Sequence, residues 1–149
     1  MSTDATTTSR AHASLLPLSL ALIAVNTAVH VILVLAGNRI TVLTTLPLLA
    51  VAIGMAIYLL TSGRALGRVR YGRFVAHALC YATVNVGYLL HAYLLIGLGS
   101  PAIAGGDTGT AIDPTWLGAS LGMAGLWGLG LILHGVGAVL DRGFEAPRR

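Results

Sequence analysis

The chain contains no lysine, one cysteine and five acidic residues in 149 positions. A single cysteine, Cys80, excludes an internal disulfide, and inside an apolar run a lone thiol is expected to serve as a small packing residue. Charged residues make up 9% of the chain against 56% hydrophobic ones, too little polar material to cover a soluble domain of this size. Nucleotide-binding motifs, a convincing internal repeat and a globular catalytic stretch are also missing, so an enzyme acting on its own is not expected. Four runs lack Asp, Glu, Lys and Arg altogether: residues 15–37, 40–61, 74–97 and 117–140. Each is close to the roughly 20 residues a helix needs to cross a hydrocarbon core, where only a helix satisfies its own backbone. These runs predict an all-α, integral membrane four-helix bundle of up-down-up-down topology, with residues 15–140 as its transmembrane domain.

The arginines set the expected orientation. Arg64, Arg68, Arg70 and Arg73 lie between the second and third runs, whereas the loop between the third and fourth has no basic residue and carries Asp107 and Asp113. The positive-inside rule places the arginine loop in the cytoplasm. Both termini then share that side of a prokaryotic-type cytoplasmic membrane, in agreement with Arg142, Arg148 and Arg149 in the 141–149 tail. Only Arg39, in the short first hairpin, lies at the opposite end. Residues 1–14 read as a flexible lead-in and not as the basic region of a cleaved signal. The loop from Gly99 to Trp116 is expected to be irregular and exposed, with Trp116 at headgroup level. Aromatics do not interleave with the arginines, so lipid, not nucleic acid, is their expected partner.

The fourth run carries Gly118, Gly122, Gly125 and Gly130, residues expected to let another helix approach closely in lipid. Gly118–Gly122 also spells a nucleophile-elbow pattern, but that elbow belongs to a strand-to-helix turn. Ser120 and His134 are about 21 Å apart along one helix and cannot pair as protease residues.

Four histidines lie inside runs: His30, His77, His91 and His134. An ionisable residue within a span is a functional candidate because it favours a bundle interior or cavity. Counting from the middle of each run puts His30 and His91 within about 2 Å of the same depth, and His77 and His134 within about 4–5 Å. His77 and His91 are fourteen residues apart, which places both within about 40° on one helix face. This pattern resembles small four-helix b-type cytochromes and respiratory membrane-anchor subunits, in which paired histidines ligate haem b. The resemblance implies haem ligation by His30 with His91 and by His77 with His134, Arg73 beside a propionate, space at Gly87 and Gly130, and electron transfer with a quinone. It departs from the two-haem respiratory cytochromes, where the spaced pair recurs on a second helix; here Leu16 stands fourteen residues before His30.

Two other functions fit the same residues. In the first, the histidines form interhelical hydrogen bonds together with Asn26, Asn85, Thr27, Thr83, Tyr81 and Tyr88, and the chain is a cofactor-free structural or assembly subunit, or a homo-oligomer. The second is a small transporter or proton path, set back by the lack of a carboxylate in any span.

Overall fold

A computed structural model describes residues 2–67, 71–106 and 111–143, and the side chains of all but 2–12, 64 and 141–143 of these. Four helices are long and apolar enough to cross a membrane, making this a multi-pass helical membrane protein. α1 spans Ser2–Leu35, so from Ser2 onward the lead-in expected to be flexible continues the first helix. The second run is divided into α2, Val42–Thr45, and α3, Pro47–Leu66. Thr41 opens α2 through a reciprocal capping box with Thr44, and Pro47 starts α3 where a missing N–H is tolerated. α4 spans Gly72–Gly97. The fourth run comprises α5, Pro114–Leu117, a π-helical turn at Gly118–Gly122, and α6, Met123–Gly143.

α1, α3 and α4 pack together, while α6 lies mainly against α4. The buried stripe of α1 is Leu18, Leu22, Asn26, Val29 and Leu33, and that of α4 is Ala76, Cys80, Val84, Tyr88, Ala92 and Leu95, both with the three- and four-residue steps of one helix face. Cys80 therefore packs as expected. Large apolar residues cover the outside, among them Leu35, Leu60 and Val42, a surface suited to lipid. None of the most apolar stretch of the fourth span is buried within the chain.

Local chemistry sets the turns between helices. α1 ends with the Gly37 N–H donating to the Val34 carbonyl at 3.0 Å and the Asn38 N–H to that of Leu33 at 2.7 Å. Gly37 and Asn38 have φ of 72° and 59°, a left-handed turn that favours these two residue types. At the other end of the bundle, Gly72 passes so close to the Leu66 carbonyl that a side chain there would overlap it.

The long loop is less exposed than its composition implies. Ile103 is buried in the core, Ala104 pairs with Ile112, and the Asp113 N–H donates to the Ile103 carbonyl at 2.9 Å. Trp116 is 1% exposed and so is covered by protein. Its indole N–H donates to the Asn38 carbonyl at 3.0 Å, a partner supplied by the distant first hairpin.

Candidate functional site

The helices bring together both histidine pairs expected from their depths. α1 places Asn26 and His30 one turn apart toward α4, opposite Gly87. A side chain at Gly87 would overlap Asn26 Nδ2 and stand 2.7 Å from His30 Nε2, so the missing Cβ makes room for both. His30 Nδ1 and His91 Nδ1 are 2.9 Å apart, and His91 Nε2 lies 3.0 Å from Asn38 Oδ1. Tyr88 and Trp116 close the sides, with ring centroids 5.0 Å from His30 and 5.1 Å from His91 respectively.

These contacts assign the tautomers for neutral rings. The Asn38 amide oxygen accepts, so His91 Nε2–H donates; His91 Nδ1 then accepts from His30 Nδ1–H. Among the described residues, His30 Nε2 is a buried acceptor with no hydrogen-bond partner, as are Asn26 Oδ1 and Asn85 Oδ1, and the buried Tyr88 hydroxyl has none either. Asn85 Nδ2 donates to the Tyr81 carbonyl at 2.8 Å. The polar atoms thus lie on both sides of the α1–α4 interface, and the Asn85 bond stays within α4.

The second pair is stacked, with the His77 and His134 centroids 4.8 Å apart and the planes inclined by 21°. His77 Nδ1–H donates to the Arg73 carbonyl at 2.9 Å, and His134 faces outward from α6. Arg73 turns toward α3: its Nε–H donates to the Gly63 carbonyl at 3.3 Å, and its guanidinium packs at Gly67. It therefore closes the α3–α4 connection instead of lining the histidine pair. Arg68 and Arg70 lie outside the described residues, as does the side chain of Arg64.

A haem fit can be judged from the spacing. Iron held by two imidazole nitrogens at about 2 Å each needs them about 4 Å apart. The facing nitrogens of His30 and His91 are 2.9 Å apart, and Asn26, Tyr88 and the Gly87 backbone occupy the flank of His30. As placed, this pair does not fit a haem between its rings. Among the described residues, no group of three or more His, Cys, Asp or Glu forms a metal cluster.

The glycines of the fourth span divide by face. Gly128 and Gly135 meet Tyr81 and Phe74 of α4, whereas an added Cβ at Gly118, Gly125 or Gly130 would meet nothing within 4 Å. Gly122 has only a carbonyl of its own helix at 4.0 Å. Among the described residues, the four glycines expected to pack helices face no neighbouring helix at their Cβ positions. Tyr81 adds the α4 contact, its hydroxyl donating to the Ala124 carbonyl at 3.1 Å. Of the other polar residues expected at interfaces, Thr83 is half-buried and Thr27 is exposed. Asn38 and Trp116 were missed as partners of the histidines, although the Gly37-Asn38 turn was a local signal for the first of them.

Comparison with protein-family models, curated proteins and solved structures finds no match for this chain.

Proposed function

We propose that this protein is a non-catalytic membrane subunit that associates with another membrane-embedded chain through the open face of its fourth helix. The observation carrying the proposal is the division of glycines: Gly128 and Gly135 are used against α4, while Gly118, Gly122 and Gly125 are exposed on a span whose most apolar stretch is not buried. Lipid provides no hydrophobic drive between helices, so a small-residue face gains its association energy from close backbone packing. The histidine pairs hold the scaffold that presents this face. The positive-inside bias supports both termini in the cytoplasm, with the four spans alternating in direction.

The test is chemical cross-linking in native membranes, followed by mild-detergent extraction and native gel electrophoresis. A complex larger than the 15.3 kDa chain is expected, with loss of that complex in Gly122→Leu/Gly125→Leu while helicity and unfolding are retained. A monomeric wild type, or a complex indifferent to the substitutions, would overturn the proposal.

A second reading, a haem-b electron-transfer subunit, draws on the pairing of four histidines at two depths, with both pairs sharing α4. The ring separations lend it no support. A reduced-minus-oxidised spectrum of protein expressed with ample haem decides between them: a b-type α band lost in both His30→Ala and His91→Ala supports this reading, and a colourless folded protein favours the cofactor-free subunit.

A further inference from the structure

Opposite the arginine-rich connection, a cavity of about 500 Å³ opens between the first hairpin and the loop before α5. Arg39 and Thr41 line one side, Ala102, Asp113 and Thr115 the other, and Trp116 contributes to the lining. The charged residues come from distant parts of the chain, and no ion pair joins them among the described residues. Asp113 is already oriented by the Thr115 N–H, which donates at 2.8 Å, and by the Thr115 hydroxyl. These bonds hold its carboxyl below the usual carboxylate range and keep it anionic.

Both walls are anchored, and the Trp116 indole ties one to the other. Asn38, beside Arg39, is held by His91 through its side chain and by Trp116 through its carbonyl. The opposite wall is held by buried Ile103 and its bond with Asp113. The cavity therefore presents a cation and an anion on two walls that are each held in place. Arg39 is also the sole basic residue in the two connections at this end of the bundle, against the trend that gathers arginines at the other. A planar guanidinium in this place is suited to recognise phosphate oxygens through paired hydrogen bonds. Exposed Val42 and Leu98 at the same end are suited to contact acyl chains.

We propose that this cavity binds the phosphate–ammonium headgroup of a phosphatidylethanolamine-type lipid, with phosphate at Arg39 and ammonium at Asp113. The proposal is independent of the helix-association function and of which leaflet faces this end. Phosphoethanolamine is the recognised chemistry, and the lipid is its assigned source.

Trp116 can report occupancy. In purified Trp127→Phe protein in detergent, its emission is followed while dihexanoyl phosphatidylethanolamine is added below its micellar concentration, with free phosphoethanolamine and dihexanoyl phosphatidylglycerol run in parallel. A saturable change with phosphatidylethanolamine is expected, weakened at least tenfold in Arg39→Gln and in Asp113→Asn. Asparagine retains the helix cap, so the latter substitution removes charge while preserving its local structural role. Phosphatidylglycerol, which lacks the ammonium, is expected to bind more weakly and to be indifferent to Asp113→Asn. Absence of saturation, a response unchanged by Arg39→Gln, or equal affinity for phosphatidylglycerol would overturn the proposal. Equal affinity for free phosphoethanolamine would overturn the lipid assignment.

Discussion

His30 and His91 meet through their Nδ1 atoms at 2.9 Å across a sequence separation of 61 residues. The contact joins α1 to α4, and the other nitrogen of His91 extends it to Asn38 at the end of α1. Trp116 then reaches the Asn38 carbonyl from the start of the fourth span. One polar network therefore secures a helix interface, a hairpin and the entry of the last helix.

The two histidines are expected to be energetically coupled. His30→Leu and His91→Leu should each destabilise the fold by about 1–2 kcal/mol, because a lost interhelical bond leaves a buried polar partner. Their coupling should be about 0.6 kcal/mol, the average for such bonds in membranes, and no more than about 1.7 kcal/mol, the largest found. A double-mutant cycle on unfolding in mixed micelles checks this, and additive single effects would show that the contact contributes nothing specific.

Gly87→Ala and Gly125→Ala should differ sharply. The first pushes a methyl into Asn26 and His30 and is expected to cost about 1–3 kcal/mol as overpacking. The second meets nothing within 4 Å and should leave the isolated chain nearly unchanged. Thermal unfolding of the two variants in the same detergent gives the comparison; equal destabilisation would contradict the assigned helix faces.

At Asn38, stability is expected to fall in the order wild type, Asn38→Gly, Asn38→Ala. Glycine tolerates the 59° φ but loses the bond to His91; alanine loses that bond and also carries a left-handed conformational cost of about 1–2 kcal/mol. Unfolding midpoints of the three proteins test the order, and alanine matching glycine would remove the backbone contribution.

Asp113 predicts an acid-dependent contribution. Its folded carboxyl is held below the ordinary value of 3.8 by the Thr115 side-chain and backbone hydrogen bonds. The unfolded chain therefore takes up the proton first as pH falls, and the stabilisation is present above 3.8 and lost on acidification through the lower folded value. The stability gap between wild type and Asp113→Ala should be constant from pH 8 to 5 and narrow in more acidic solution. Parallel unfolding curves at pH 6 and pH 3 measure it; a gap of the same size at both would rule out this linkage.

Much of the site was legible from helical rise alone. Counting along the runs brought His30 to the depth of His91 and His77 near that of His134, because each residue in a membrane helix advances by a nearly constant distance. The count could not distinguish touching rings from rings separated by a cofactor, a difference of about an ångström controlled by neighbouring side chains. Nor did it reveal Trp116, whose covering residues and acceptor come from other parts of the chain.

By itself, the sequence determined the four apolar spans, the gathering of arginines in one connection and the matching heights of the paired histidines along their helices. These follow from local hydrophobicity, charge and the repeat of a single helix. Only the tertiary structure decided that His30 bonds to His91, that Gly128 and Gly135 face α4 while Gly118 and Gly125 remain open, and that Arg39 and Asp113 line one cavity. Those relations depend on how each helix is rotated against its neighbours, and that rotation is set by contacts between distant residues.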